Sequence, residues 1–176
     1  MSLGATEIAH PGHGGNMFTH LTRVESLLRE WGEREAVCSA GFLHGLFGPA
    51  PLPDGGFYTI LPLDERARVV ETAGAEVADL VYEYGACDRE YTYPRLELSP
   101  EPYRDRFTGI AGPLEDRRLR DFLAITAANE VDQGRESTEF VEMHGAFFME
   151  LFTRCRSLLS DGAWEACVDT FAGESR

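Results

Sequence analysis

The sequence predicts an all-α domain, a bundle of about six to seven helices with a long loop after the fourth. Three observations lead there. Apolar residues recur every three or four positions through most of the chain, glycine or proline closes the first two such stretches, and no segment is rich in strand signals. A length of 176 residues suits one domain with its own core. The expected organisation is an arm over residues 1–15, the helical domain over 16–172 and a tail over 173–176.

In the first helix Met17, Leu21, Val24, Leu28 and Trp31 form one apolar face, with Asn16 suited to cap it and Gly32 to stop it. His20 lies on that face one turn before Val24, so it points inward. The second helix is expected over residues 33–47, with Ala40, Leu43, His44 and Phe47 in its buried stripe and small residues Ser39, Ala40 and Gly41 permitting close approach. Residues 50–62, containing PLPDGG, read as a loop followed by a short extended piece, FYTI. Asp64 caps a third helix that breaks near residues 72–74. The fourth carries Val77, Leu80, Val81 and Tyr84 on one face. Residues 86–113, rich in Tyr, Pro and Arg, are irregular and long enough to serve as a lid or binding loop. The fifth helix spans residues 114–133, the sixth 137–159 and the last 163–171. The apolar sixth helix offers either a homodimer face or a buried face within the domain.

Composition narrows the function classes. The net charge is −14 and all 16 basic residues are arginine, so the surface repels phosphate backbones and nucleic acid is not an expected partner. No apolar run reaches the ~18–20 residues that span a bilayer, and no secretory signal is visible, so the expected location is cytoplasmic and membrane-free. Cys38, Cys87, Cys155 and Cys167 are widely spaced, which reads as buried thiols without a disulfide framework or zinc cage.

The chemistry-bearing pair is His20 and His44, on the inward faces of consecutive helices. An imidazole can ligate a divalent metal through one nitrogen while an acceptor orients the other; the competing reading is two separate core histidines. The stretch VCSAGFLHGLFG, residues 37–48, resembles the helix carrying the signature pair of the HD (histidine–aspartate) superfamily. AGAEVADLVYEYG, residues 73–85, is similar to the helix that follows it in the alarmone-hydrolase branch, and LAITAANEVDQ, residues 123–133, resembles the one supplying the last aspartate. The resemblance implies metal ligation by His20 and His44, and in the wider family either hydrolysis of phosphoesters or iron-dependent oxygenation.

The chain departs from that pattern. Gly45 stands where the paired aspartate belongs, no ED pair follows, and Asn129 aligns with the last aspartate, with Asp132 one turn further on. Losing carboxylates weighs against phosphohydrolysis. His13, just before the first helix, could complete a three-histidine site for iron, zinc, manganese or copper, whereas His10 reads as an exposed arm residue. His44 and Asp132 are the candidates for catalysis, and Arg66, Tyr58 and Asn129 for holding a small-molecule ligand. Glu76 and Glu130 are either acids in the site or solvated helix charges, and His144 reads as packing. Arg68 and the loop arginines read as partners of the abundant acids, and Tyr91 and Tyr93 as walls of an aromatic pocket. Three readings remain open: a metal-dependent enzyme, a metal-free enzyme using a histidine as general base, and a ligand-binding or structural domain that has lost its metal carboxylates.

Overall fold

The computed structural model describes residues 17–48 and 61–172. The expected arm, the PLPDGG loop, the tail, and with them His13 and Tyr58, lie outside the described residues. Eight α-helices make up the described chain: α1 Met17–Glu30, α2 Glu35–Leu43, α3 Arg66–Ala73, α4 Ala75–Ala86, α5 Arg89–Thr92, α6 Asp116–Glu136, α7 Thr138–Arg154 and α8 Asp161–Phe171. A single antiparallel ribbon, β1 Tyr103–Arg104 with β2 Ala111–Gly112, is the only sheet among the described residues. The fold is mostly helical, as the apolar spacing predicts. Among the described residues no helix is long and apolar enough to cross a membrane.

The organising rod is α6, which packs against α1, α2, α4, α7 and α8. The sequence gives it one apolar side, yet residues 121–132 are buried without a break, because neighbours enclose it all round. Polar side chains on such a helix cannot reach water and must find partners inside. Asp121, Asn129, Glu130 and Asp132 are therefore forced into hydrogen bonds and ion pairs.

Two glycines set the spacing around the site. A Cβ at Gly41 would run into Leu28 Cδ1, so α2 lies tightly on α1 only because that position is glycine. A Cβ at Gly85 would stand 2.9 Å from Phe47 Cβ, so glycine there also lets α4 come against the turn that follows α2. The first approach brings His44 toward His20, and the second brings Tyr84 toward His44.

Helix α2 ends at Leu43 instead of continuing to Phe47. The His44 ring donates from Nδ1 to the Gly41 carbonyl at 2.6 Å, and successive i→i−3 backbone bonds (Leu46 to Leu43, Gly48 to Gly45) tighten the chain into turns. Gly48, at φ 81°, completes the exit. His44 is thus a helix terminus held by its own side chain. Gly74, at φ 89°, makes the break between α3 and α4 where the sequence places it.

Residues 86–113 are more ordered than an irregular lid. Tyr93, Leu96 and Tyr103 are in the core, Arg104 pairs with Asp88 at 2.7 Å, and Arg106 donates to the carbonyls of Gly85, Phe47 and Gly48. The side chains of Arg104 and Arg106 are spent on internal partners, and Arg95 donates to the Tyr91 carbonyl beneath its ring. All four cysteines are buried and free. Helix α7 stops at Arg154, short of residue 159, and leaves Met143 and Phe147 exposed.

Candidate functional site

The two histidines converge. His20 is buried on α1 beside Leu21 and Val24, His44 is buried at the end of α2, and their Nε2 atoms are 3.4 Å apart. The ring centroids are 5.2 Å apart and the planes nearly perpendicular, so the contact is edge-on and not stacked. Both Nδ1 atoms are committed elsewhere: His20 to Asp132 Oδ2 at 2.7 Å, His44 to the Gly41 carbonyl at 2.6 Å. A carbonyl only accepts and an ionised carboxylate only accepts, so each Nδ1 carries the proton. The two Nε2 lone pairs then point at each other. A proton or a cation between the rings would satisfy both nitrogens, and the Asn129 side chain is a further neighbour of His44.

Asp132, on α6, is the anchor. Its Oδ1 accepts from Arg23 Nε at 2.5 Å, and its Oδ2 accepts from Arg23 at 3.0 Å as well as from His20. Burial alone would raise the Asp132 pKa, but the hydrogen bonds from His20 and Arg23 outweigh it and hold the carboxyl below its usual range. Arg23 also reaches Glu136 at 3.6 Å. Of the two α6 positions that the sequence offers for the last aspartate, Asp132 faces His20, and the Asn129 amide, one turn earlier, donates to Glu130 Oε1 at 3.0 Å.

His44 is held neutral. Burial, reinforced by the charge of His20, lowers its pKa to about 3, with the Gly41 carbonyl and the Asn129 side chain opposing. Glu130 shows the converse: burial raises it to about 7, and Arg89, Asn129 and His20 pull back. Gln133 donates to its second oxygen at 3.2 Å. Tyr84 packs edge-on against His44 with centroids 5.1 Å apart, and Arg89 lies 5.1 Å over the Tyr84 ring while its Nε donates to the Tyr93 hydroxyl at 3.1 Å. His20, His44, Tyr84, Arg89, Asn129, Glu130 and Asp132 therefore make one continuous polar cluster inside an otherwise apolar bundle.

Other expected residues fall elsewhere. Arg66 pairs with Asp79 and lies over the Tyr82 ring, in a separate pocket of about 310 Å³ shared with Glu83, Tyr103 and Arg118, which no histidine lines. It does not join the histidine site, because α3 packs on α4, whereas the histidines meet where α1, α2 and α6 come together. Glu76 is an exposed charge pairing with Arg34 and Arg117, and Arg68 pairs with Glu65. His144 packs on Phe140 and Phe148. Tyr91 lies beneath Arg95 and Arg104, away from the cluster. Among the described residues no group of three His, Cys, Asp or Glu side chains is arranged to hold a metal ion.

Sequence reasoning misses Arg23, Tyr84 and Arg89. Arg23 had a signal, since it stands one turn after His20 on the same helix; Arg89 had none, because it sits in a short helix within a stretch without periodicity.

A family model described as "Domain of unknown function (DUF6817)" matches residues 1–89, half of the chain. The match takes in both histidines, Tyr84 and Arg89, and ends before Asp132. No curated protein matches the chain, and no solved structure does. None of the comparisons links it to the HD superfamily.

Proposed function

The chain belongs to the DUF6817 family, and we propose that it binds a small molecule at the His20–His44 pair and acts on it there with one divalent transition metal (iron, zinc or manganese) held by the two Nε2 atoms. The observation that carries this reading is the 3.4 Å approach of two Nε2 lone pairs whose rings are both oriented through Nδ1. Nitrogens bound at ~2.0–2.1 Å to one tetrahedral ion stand roughly that far apart. An acceptor on the far nitrogen is also the usual support of a metal-bound imidazole. The donor set is two neutral nitrogens, which suits a borderline transition ion over magnesium or calcium.

When bound, such an ion supplies Lewis acidity and lowers the pKa of coordinated water. The chain's own side chains do the rest. Asp132 fixes the tautomer and angle of His20, and Arg23 fixes Asp132. His44 stays uncharged and keeps its lone pair available at neutral pH. Glu130, poised near pH 7, can take or give a proton within the same cluster. A third ligand from the segment containing His13 fits this reading, and His13 lies outside the described residues.

A second reading has its own support. Both Asp132 oxygens are taken by Arg23 and His20, and one added proton shared between the two Nε2 atoms would complete a hydrogen-bonded row from Asp132 through His20 and His44 to the Gly41 carbonyl in a metal-free acid–base or ligand-binding site. Metal analysis separates the two. Protein purified without chelator is expected to carry close to one equivalent of a transition metal, and His44→Ala to carry less than a tenth of that. A content near zero after loading with iron, zinc or manganese rules out the metal and leaves the proton relay.

A further inference from the structure

This inference rests on reading the His20–His44 pair as a small-molecule site, and it concerns the class of that molecule. The surroundings of Arg89 are unusual for this chain. With 30 acidic residues against 16 arginines, carboxylate partners are abundant; Arg23, Arg34, Arg104, Arg117 and Arg118 each pair with one. Arg89 does not. It is half-buried, its Nε donates to Tyr93, and among the described residues no carboxylate lies within ion-pair distance of it; the Tyr84 hydroxyl and Glu130 are its electrostatic neighbours. The Tyr84 ring touches both its guanidinium and His44, and the Tyr84 hydroxyl is buried without a hydrogen-bond partner. A guanidinium without an ion-pair partner and a buried hydroxyl thus face each other, one tyrosine ring from the histidine pair.

We propose that Arg89, with the Tyr84 hydroxyl beneath it, is the anchor for a carboxylate group of the ligand whose remainder lies against His20 and His44. Two terminal N–H groups in one plane match the two oxygens of a carboxylate, and either oxygen is the acceptor the Tyr84 hydroxyl lacks. A single negative charge also fits better than the two of a phosphate monoester. Glu130 already borders the cluster, and no second unpaired arginine stands in it. Tyr93 holds the guanidinium by its Nε edge and leaves the other edge for the ligand.

The test titrates the full chain with benzoate, and separately with inorganic phosphate, by calorimetry and by following the Arg89 Nε–H NMR signal. Benzoate is expected to bind and shift that signal. Arg89→Gln weakens binding at least ~10-fold, and Arg89→Lys, which keeps the charge and loses the fork, weakens it by a similar factor. Tyr84→Phe separates a ligand role from a packing role. Removing a buried, unpaired hydroxyl raises the melting temperature by roughly 2–4 °C, while benzoate binds ~3–10-fold more weakly. A merely structural tyrosine would not give both changes. Run on metal-free protein, the same titrations read the anchor independently of whether a metal is held. Unchanged affinity in folded Arg89→Lys and Tyr84→Phe, no response to benzoate, or binding of phosphate in preference to benzoate overturns the proposal.

Discussion

Asp132→Ala is expected to destabilise the domain by about 3–4 kcal/mol in urea unfolding and to weaken metal binding ~10–100-fold. One carboxylate on α6 makes two attachments to α1: it receives two nitrogens of Arg23 from the helix's flank and the His20 ring from its buried face. Removing it costs unequally on the two sides. Arg23 is one-third exposed and keeps Glu136 nearby, so it recovers water. His20 is 4% exposed, and its buried Nδ1–H loses the carboxylate it donates to. The loss at His20 dominates, at the scale of a buried charge-assisted hydrogen bond plus desolvation. Asp132→Asn keeps the shape and one acceptor while losing the charge, so about half the penalty is expected. An Asp132→Ala protein within about 1 kcal/mol of the wild type would mean that the Asp132 contacts to Arg23 and His20 do not hold α1 to α6.

The second large effect is in the pH dependence of the metal-free protein, where two buried groups oppose each other. Burial sets the folded His44 pKa at about 3, against 6.5 for an ordinary histidine. Between those values the unfolded chain binds the proton and the folded one does not, so stability falls as pH drops from 6.5 toward 3. Glu130 has a folded pKa of about 7 against 4.5. Over that window the folded chain holds the proton that the unfolded one has released, so stability falls as pH rises from 4.5 to 7. From about pH 4.5 to 6.5 the slopes cancel, and the wild type should show little change there. Glu130→Gln removes one of them. It should match the wild type within about 1 kcal/mol near pH 4.5, and exceed it by about 3 kcal/mol at pH 8, since a shift of about 2.5 units is worth roughly 1.4 kcal/mol per unit. The variant's stability should also climb steadily between pH 4.5 and 6.5. A flat difference between variant and wild type from pH 4.5 to 8 would show that the Glu130 carboxyl is not strained by burial.

The helical class and the inward aim of His20 and His44 were legible because both follow from spacing. Three- and four-residue recurrence sets a buried face, and each histidine lies on one. The close pass of α2 over α1 was legible as small residues, and Gly41 is the position that requires it. The end of α2 was not, because His44 terminates it through its own ring, a bond that apolar periodicity does not encode. The part played by Asp132 depended on the rotation of α6, and a helix enclosed on all sides gives no polar face from which to read that rotation. Arg66 was an expected ligand contact and pairs instead with Asp79, since the sequence places it on α3 without showing that α3 packs on α4 and not beside the histidine pair. The ribbon β1–β2 is two residues a strand, too short for an alternating pattern to show.

The central claim is that the two imidazoles share one binding point through Nε2. Long-range ¹H–¹⁵N NMR of the histidine side chains during a zinc titration tests it most directly. The account predicts protonated Nδ1 on both His20 and His44 throughout, and both Nε2 resonances moving together to completion at one equivalent. Movement of only one ring, or none with zinc in excess, contradicts it.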